Sequence, residues 1–370
     1  MRELALLAGT ANLALARRVA GYLDVRLLEA VVSRYPDGEI EVRLEESVRG
    51  RDCFVLQPTC PPVHDHLLEL LVLADALRRA SAARVTAVVP YFGYARQDRK
   101  TSAREPVTAK LVANLMVRAG VQHLLVLDLH AGQLSGFFDI PLDHLGAGRL
   151  LADYFRSKGL RNVVVVSPDV GGVRRAREFA QILGAPLAII DKRRDRPNQV
   201  AEVVHVIGKV YRRAAILVDD IVDTAGTLVL AAETLVRRGA GEVYACCTHP
   251  VLSGPAVDRI AASPIRELVV TDSIPLPANK RADRIRVVSV ARPQLRQRAG
   301  NRAPGSGAGG GLTRHGLPGL PYTERGVYVR PTVRAGSPTG VVCNLLDHAH
   351  LALSGAAGGC GGLPGRAPDQ

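Results

Sequence analysis

Through the first 291 residues, short apolar runs alternate with longer segments in which apolar residues recur at helical spacing. The apolar runs predict buried strands at 4–7, 26–32, 53–56, 84–89, 124–127, 163–166, 187–190, 214–218, 242–248 and 287–291. The amphipathic segments predict helices at 65–80, 108–119, 147–158, 173–183 and 228–238. Because such alternation is typical of parallel sheets with helices on both faces, the predicted fold class is α/β.

The pattern restarts after Pro141, which predicts two similar halves at residues 1–143 and 144–291. From Arg292 to Gln370 the periodicity is lost, and Gly, Pro, Ala and Arg dominate. Such a composition cannot bury enough apolar surface to offset the entropy of ordering the chain, so we expect a disordered, low-complexity tail at 292–370. The tail has nine Arg and no Lys, which suggests, as a hypothesis, a frameshifted or fused terminus translated from GC-rich sequence.

The amino-acid composition indicates what the cores consist of and where the protein is located. The chain is 47% hydrophobic but only 4% aromatic, with no Trp, so the cores are expected to consist of Leu, Val, Ile and Ala. The apolar runs are only as long as strands, which predicts no transmembrane helix and no membrane partner. The N-terminus lacks the layout of a signal peptide, and the predicted location is therefore cytoplasmic.

The net charge of +13 is typical of nucleic-acid-binding proteins, but its distribution argues against that function. The tail alone holds nine Arg against three acids, and much of the remaining excess falls in two clusters that anionic small molecules explain. No basic patch is studded with aromatic residues on which bases would stack. We therefore expect no nucleic-acid partner.

The six cysteines form no Cys-x-x-Cys pair and no spacing typical of a metal site. In a cytosolic protein, disulfides are rare, so we interpret the cysteines as small buried hydrophobic residues or free thiols.

Residues 216–227 are the most informative segment of the sequence. The strand predicted at 214–218 is followed by Asp219 and Asp220, then by the small-residue loop 223–227 and a helix. Ligands of open α/β sheets bind at the carboxyl ends of the strands, where loop N–H groups and a helix dipole suit a phosphate. The two carboxylates suit the hydroxyls of a diol, which donate hydrogen bonds. The segment therefore predicts a phosphorylated-ribose site. The alternative is an acidic surface turn, in which the carboxylates would repel one another.

Two basic segments also follow predicted strands. Arg96 and Gln97 lie after the strand at 84–89, where Arg96 suits bidentate contact with a polyphosphate. Lys192 and Arg194 lie on a Pro-containing loop after the strand at 187–190, where they are placed to close over phosphates. Ordinary solvated charge runs are the alternative for both segments. No G-x-x-x-x-G-K-[ST] motif is present, which excludes a P-loop kinase.

Single polar residues follow other predicted strands. His130 and Asp169 suit a metal site, since Mg²⁺ typically takes only one or two protein ligands, but a core histidine and a helix cap are the alternatives. Asp37-Gly38 precedes alternating apolar residues, which predicts a hairpin turn.

Together these motifs resemble the bacterial-type class I ribose-phosphate diphosphokinase family, also called phosphoribosyl-diphosphate synthase. The resemblance covers residues 3–291, and its signatures are the segments 36–39, 94–100, 104–106, 128–132, 167–169, 191–194 and 219–227. The last of these is similar to the phosphoribosyl-diphosphate loop of the type I phosphoribosyltransferase fold. The resemblance implies two tandem phosphoribosyltransferase-type domains, with the ATP side in 1–143 and the ribose-5-phosphate loop in 144–291.

The family's reaction, as the resemblance implies it, transfers the diphosphoryl group of ATP to the 1-hydroxyl of ribose 5-phosphate, giving 5-phosphoribosyl 1-diphosphate and AMP. It requires Mg²⁺, and the implied assembly is a homohexamer whose ATP sites are completed across subunits. The implied ATP-binding residues are Asp37, Gly38, Glu39, Arg96, Gln97 and Asp98. The implied metal ligands are His130 and Asp169, and the implied catalytic residues are Lys192 and Arg194. The implied ribose-5-phosphate residues are Arg194, Asp219, Asp220, Asp223, Thr224, Ala225, Gly226 and Thr227.

The chain departs from the family pattern at three places. The family continues past residue 291 into an amphipathic helix that contributes to the allosteric site and the subunit interface, where this chain has its Gly/Arg tail. Asp195 stands where the family has Pro or a neutral residue, which predicts a modestly weaker cation cluster on the loop. Tyr35 stands where Phe is common.

Other functions share parts of this pattern. A non-catalytic regulatory relative of the synthase-associated type would keep the fold, but retention of Lys192, Arg194, His130 and Asp169 favours the enzyme. A phosphoribosyltransferase that consumes phosphoribosyl diphosphate would share segment 219–227 but would not explain the ATP-side motifs. A fourth possibility is a chain with the right residues that the missing terminal helix leaves unstable or misassembled.

Overall fold

Two open sheets, each flanked by helices, organise the part of the chain that can be described. The computed structural model describes residues 3–193 and 203–291, and within them the side chains of 3–191 and 205–291. The predicted tail at 292–370 and the residues Arg194 and Asp195 lie outside the described residues. All described residues belong to one compact unit.

The first sheet is entirely parallel. Its strands are β1 (Leu4–Ala8), β4 (Asp52–Leu56), β5 (Arg84–Val89), β6 (His123–Leu127) and β7 (Leu142–Leu145), in the order β1-β4-β5-β6-β7. Between β1 and β4 lie helix α1 (Leu13–Leu23) and an antiparallel hairpin of β2 (Ala30–Arg34) and β3 (Ile40–Leu44). Helices α2 (Val63–Arg79) and α3 (Thr108–Ala119) cover the face opposite α1, and a short 3-10 helix spans Gly132–Phe137.

The second sheet has seven strands, which are parallel except for one antiparallel strand at its edge. The order is β10-β9-β8-β11-β12-β13-β14, with α4 (Gly148–Ser157) preceding it in the chain. The strands are β8 (Val163–Ser167), β9 (Leu187–Arg193), β10 (Val203–Ile207), β11 (Ala214–Val222), β12 (Glu242–Pro250), β13 (Ile265–Thr271) and β14 (Ile285–Val288). The connecting helices are α5 (Val173–Leu183), α6 (Gly226–Arg237) and α7 (Ala256–Ala262), and Ala278–Lys280 forms a second short 3-10 helix.

The period-2 alternation of the strands explains how the sheets share a core. Phe54 and Leu56 of β4 point to one face of the first sheet, and Ile216 and Val218 of β11 point to one face of the second sheet. These residues pack with α1, α4 and α5 in one core that lies between the two sheets. The alternate strand residues form separate cores with α2 and α3 in the first half and with α6 and α7 in the second. Parallel strands buried on both faces are what their continuous apolar runs predict.

The α/β class, with parallel sheets flanked by helices, is confirmed. The helices predicted at 108–119 and 173–183 have the bounds of α3 and α5. The structure also contains elements that the periodicity missed, among them α1 and α7. The predicted boundary at 143/144 lies within β7, and the division into domains at that residue stays a prediction.

Several predicted bounds differ from those in the structure, among them the following four. The strand predicted at 26–32 is β2 at Ala30–Arg34, because residues 26–29 make only an isolated bridge from Leu27 to Leu6. The strand predicted at 214–218 continues to Val222, because its pairing with β12 continues as far as Val222 opposite Pro250. The helix predicted at 228–238 begins at Gly226. The strand predicted at 287–291 ends at Val288. The N–H of Val290 donates its hydrogen bond to the Asp272 carboxylate, so it is not available for pairing with a neighbouring strand.

Two further findings bear on the class of protein. None of the helices in the described residues is both long and apolar enough to cross a membrane. The cysteines within the described residues, Cys53, Cys60, Cys246 and Cys247, are free and buried, as predicted. Burial raises the pKa of Cys53 and Cys60 to about 11.

Candidate active site

Asp219 and Asp220 lie near the carboxyl end of β11 and face opposite sides of the strand. Asp220 points to the first half of the chain, where its Oδ2 is 2.8 Å from Nδ1 of His130. From the helix that follows β8, Arg175 places Nη1 3.2 Å from Oδ1 of Asp220 and 3.5 Å from Oδ1 of Asp219. The two carboxylates, the imidazole and the guanidinium form one polar cluster, which we call the Asp220 cluster. It joins β11 and α5 of the second half to the loop after β6 of the first.

The electrostatics of the Asp220 cluster separate its two carboxyl groups. Burial and the neighbouring charge of Asp220 raise the pKa of Asp219 well above its usual range. Burial opposes ionisation of Asp220 too, but the hydrogen bond with His130 and the charge of Arg175 outweigh it and hold the pKa of Asp220 below its usual range. The same hydrogen bond raises the pKa of His130. Asp220 is therefore the ionised carboxylate at the centre of the cluster.

Sequence reasoning missed Arg175. A local indication was present, because Arg174 and Arg175 occupy the first turn of α5, where a positive charge opposes the helix dipole. A cation in that position needs a nearby anion to be stable. Which anion it meets depends on β8 and β11 being neighbours in the sheet.

The small-residue loop after β11 leads directly into a helix, as predicted. Ala225 has φ of 60°, a left-handed conformation that turns the chain sharply before α6 begins at Gly226. The Nη1 of Arg259 donates to the Thr224 carbonyl at 3.0 Å and braces the loop from α7. The first N–H groups of α6 have no partner within the helix, so they and the positive end of its dipole suit an anionic group.

Arg96, one of the predicted ATP-binding residues, contacts this loop. Its Nη1 lies 2.8 Å from Oδ2 of Asp223. Burial alone would raise the pKa of Asp223, but the hydrogen bond from Arg96 holds that pKa below its usual value. The other two predicted residues of the segment make local contacts: Gln97 accepts a hydrogen bond from the Thr108 hydroxyl at the start of α3, and Asp98 accepts one from Gln133.

The turn with Asp37, Gly38 and Glu39 joins β2 to β3, as the hairpin prediction states. Gly38 has φ of 97°, and the Asp37 carboxylate accepts the N–H of Glu39 at 3.1 Å. All three turn residues are exposed. Within the described residues, none of the hydrogen bonds or ion pairs of this turn reaches the Asp220 cluster.

His130 and Asp169 are the predicted metal ligands. His130 has its Nδ1 engaged by Asp220, an arrangement that orients Nε2 in many metal sites. Asp169 uses Oδ1 to accept the N–H of Gly172 at 2.8 Å, a turn contact before α5. The N-cap residue of that helix is Gly172, so Asp169 is not its cap. Among residues 3–191 and 205–291, no three His, Cys, Asp or Glu side chains converge as a ready-made metal site. A carboxylate and an imidazole still fit Mg²⁺, which retains waters and takes ligands from substrate phosphates.

The prediction that Lys192 lies on a loop is wrong. The strand predicted at 187–190 continues to Arg193, because β10 pairs with it and places Val204 opposite Lys192. The Lys192 side chain and all of Arg194 lie outside the described residues.

Comparisons with known proteins show the family of the chain. A family model described as the N-terminal domain of ribose phosphate pyrophosphokinase matches residues 4–120, and one described as the phosphoribosyl transferase domain matches residues 136–275. The ribose-phosphate pyrophosphokinase of Bacillus caldolyticus is 58% identical over 288 residues, which is 78% of this chain and 91% of that protein. The enzyme of the same name from Bacillus subtilis is 56% identical over 279 residues, which is 75% of this chain and 88% of that protein.

A solved structure supports the fold as well as the sequence relationship. The crystal structure of phosphoribosylpyrophosphate synthetase from Mycobacterium smegmatis aligns with a TM-score of 0.74 and 43% identity. The alignment covers 78% of this chain and 95% of that chain. Two phosphoribosyltransferase-type domains with parallel sheets are thereby confirmed as the fold.

Proposed function

The chain belongs to the ribose-phosphate pyrophosphokinase family, and we propose on that basis that it transfers the diphosphoryl group of ATP to the 1-hydroxyl of ribose 5-phosphate. The products are 5-phosphoribosyl 1-diphosphate and AMP. The observation that carries the proposal is the 58% identity over 288 residues, a length greater than either half of the chain. We also propose that the enzyme acts in the cytoplasm.

We propose that ribose 5-phosphate binds between the Asp220 cluster and the start of α6. Its phosphate would accept hydrogen bonds from the N–H groups of residues 224–227, and its 2- and 3-hydroxyls would donate to Asp219 and Asp220. Asp223 would be a further residue of this ribose-5-phosphate site. Support comes from the position of the two carboxylates on β11, immediately before the loop that leads into the helix.

On the ATP side, we propose that Arg96 binds the polyphosphate and that Gln97 and Asp98 complete the pocket. The ion pair between Arg96 and Asp223 supports this role, since it places a cation at the edge of the ribose-phosphate loop. The turn at Asp37–Glu39 is exposed, which suits contact with the ATP of a neighbouring copy in a homohexamer.

We propose that His130 and Asp169 hold Mg²⁺ together with the substrate phosphates. When bound, the ion neutralises phosphate charge. This chain's contribution is to fix the imidazole: the Asp220 carboxylate takes Nδ1–H, which leaves the lone pair on Nε2 for a ligand.

Lys192 and Arg194 are proposed as the residues that stabilise the transition state. Transfer of a diphosphoryl group depends mainly on positioning and on stabilisation of developing negative charge, because little covalent help is needed. The 1-hydroxyl oxygen of the ribose attacks the β-phosphorus of ATP, and the bond from that phosphorus to the oxygen of AMP breaks. These two cations would meet the charge that develops on that bridging oxygen.

The competing functions are less well supported. A non-catalytic regulatory relative is not favoured, because the relatives that match about nine-tenths of their own length carry the name of the enzyme. A phosphoribosyltransferase is not favoured either, because residues 4–120 match a domain described for ribose phosphate pyrophosphokinase.

The proposal predicts AMP formation from ATP and Mg²⁺ that depends on ribose 5-phosphate. Lys192→Ala is expected to lower kcat by roughly 10²-fold or more, because a donor to the transition state is lost. Chromatographic quantification of AMP measures the rate. Lys209→Ala, which removes an exposed lysine of the turn between β10 and β11, is the matched control and is expected to retain full activity. A folded wild-type chain that forms no AMP would overturn the enzyme assignment and favour the regulatory relative.

A further inference from the structure

A buried histidine at the end of β12 joins the two halves behind the proposed active site. His249 is 2% exposed, and its Nε2 lies 3.1 Å from the carbonyl oxygens of both Leu127 and Asp128, at the end of β6. On the other side of the ring, Nδ1 is 2.9 Å from Oγ of Ser273. The Tyr91 ring packs against the imidazole edge to face, with centroids 5.2 Å apart. This histidine has no part in the chemistry proposed above.

The neighbours of His249 determine where its proton is. Carbonyl oxygens only accept hydrogen bonds, so Nε2 must carry a hydrogen and donate it to Leu127 and Asp128. Burial lowers the pKa of His249, which favours the neutral ring with its one hydrogen on Nε2. Oγ of Ser273 lies 2.9 Å from Nδ1 and donates to the Thr248 carbonyl, also at 2.9 Å. The ring therefore has a single orientation, with its donor directed at the first half of the chain.

The backbone that His249 holds is under local constraint. Asp128 has φ of 38°, a conformation that costs a non-glycine residue free energy and persists only where its surroundings enforce it. Its carboxylate accepts hydrogen bonds from the Thr248 hydroxyl at 2.6 Å and from the Ala147 N–H at 3.0 Å. The next residue, Leu129, donates its N–H to His144 at 2.9 Å. His130 follows immediately, so its direction depends on these anchors.

The pairing of β11 with β12 keeps His249 close to Asp220, the residue that contacts His130. In the register between β11 and β12, His249 lies opposite Ile221, the residue after Asp220. Tyr91, Ile221 and His249 line the same small cleft as His130. The strand that carries the partner of His130 is thus paired with the strand whose His249 contacts the backbone shortly before His130.

We propose that His249 is a positioning residue whose Nε2–H holds the end of β6 so that His130 meets Asp220. The inference deepens the proposed function, on which it rests for the role of His130 in catalysis. It concerns the geometry of the reaction step, so loss of the contact is expected to act on kcat rather than on substrate binding.

Two substitutions of His249 separate its two nitrogens. The amide nitrogen of Gln can reach the position of Nε2, whereas that of Asn reaches only the position of Nδ1. His249→Gln is therefore expected to keep kcat within about 3-fold of wild type, and His249→Asn to lower it by the order of 10²-fold, the effect of a displacement of about 1 Å in a reacting geometry. KM values for ATP and ribose 5-phosphate are expected to change less than kcat in both variants.

Two control variants test whether the loss of any buried histidine, or of any partner of His249, lowers kcat. His123 is buried at the opposite end of β6 and contacts Asp143, so His123→Asn tests the loss of a buried histidine far from His130. Ser273→Ala removes the partner of Nδ1 together with a hydrogen bond to the Thr248 carbonyl, and leaves the carbonyl partners of Nε2 in place. Both variants are expected to keep kcat within about 3-fold of wild type, with rates measured well below each variant's unfolding temperature.

Crystal structures of His249→Gln and His249→Asn give a readout that does not need activity. The 2.8 Å contact between His130 and Asp220 is expected to persist in the first and to be lost in the second. An intact contact in His249→Asn would overturn the proposal, and so would equal loss of kcat in both His249 variants. If the wild-type chain forms no AMP, the proposed function fails, and the crystal structures still decide whether His249 positions His130.

Discussion

Arg175 is the residue on which the charge balance of the Asp220 cluster depends. Its side chain is 25% exposed and contacts both Asp219 and Asp220, which are neighbours in the chain and lie largely away from water. Two such carboxylates repel each other unless a cation or donor hydroxyls offset them. Arg175 serves this purpose, and ribose hydroxyls would add to it when substrate binds.

Replacing Arg175 by Gln is expected to lower the free energy of unfolding by about 2 kcal/mol, because a charged hydrogen-bond partner of buried groups is removed. KM for ribose 5-phosphate is expected to rise, since the carboxylates then lose their alignment. Urea unfolding at pH 7.5 and AMP formation measure the two effects. Arg174→Gln is the control, because that side chain is 89% exposed and pairs only with Glu178 among the described residues. Equal effects of both substitutions would show that Arg175 has no special role.

Among the elements, the connection from β1 to α1 is fixed by a buried polar network. The Glu69 carboxylate of α2 accepts hydrogen bonds from the N–H and hydroxyl of Thr10, each at 2.6 Å. Gln57, which follows β4, accepts the N–H of Ala11 at 3.1 Å and donates to Glu69 at 2.9 Å. Gly9 passes directly beneath these side chains, and a Cβ there would lie 2.3 Å from Oε1 of Gln57. The loop conformation thus requires glycine at this one position.

Gly9→Ala is expected to lower the free energy of unfolding by about 1–3 kcal/mol, because the added methyl group overpacks a network whose members are hydrogen-bonded in place. Gly21→Ala lies inside α1 with no atom within 4 Å of the new Cβ. It is expected to raise the free energy of unfolding by about 0.5–1 kcal/mol, since alanine favours the helix. Urea denaturation followed by circular dichroism compares the two. A stabilising Gly9→Ala would contradict the packing argument.

Over the whole molecule, the two sheets share one core and are tied at their edges. Asn12 of the first half donates to the Asp272 carbonyl at 2.8 Å, and Arg18 forms an ion pair with the Asp272 carboxylate. The shared core includes residues from α1, α4 and α5 as well as both sheets. The buried thiols are spread over both halves, on β4 and its following loop in the first and on β12 in the second. Any pH effect on these thiols therefore reports on both halves.

The free energy of unfolding is expected to fall as pH rises from 8 to 9.5. The unfolded chain releases thiol protons near pH 8.5, whereas burial raises the pKa of Cys53 and Cys60 to about 11 in the folded chain. In this interval the folded state binds more protons, so stability decreases with pH, by about 1 kcal/mol for each thiol. In Cys53→Ala, the decrease between the two pH values is expected to be smaller by that amount. Urea unfolding at both values measures it, and an unchanged decrease would contradict the assignment.

Local sequence predicted the architecture because each strand and helix carries its own periodicity. The apolar runs located strands, and the polar residues placed directly after 187–190 and 214–218 located the candidate substrate residues, since parallel strands end at a common edge. Strand bounds were less accurate where pairing decides them: β11 extends to Val222 because β12 offers partners that far. The roles of Lys192 and Arg194 came from resemblance and stay predictions.

By itself, then, the sequence determined the α/β class, the two tandem domains and the small-residue loop between β11 and α6, because those properties are encoded within short segments. Only the tertiary structure decided which groups meet. His130 and Asp220 are 90 positions apart, and His249 reaches a carbonyl 121 positions away. Periodicity carries no information on such contacts, so Arg175 and His249 had no predicted role. Their charges and hydrogen bonds depend on the order of strands and the packing of two sheets against one core.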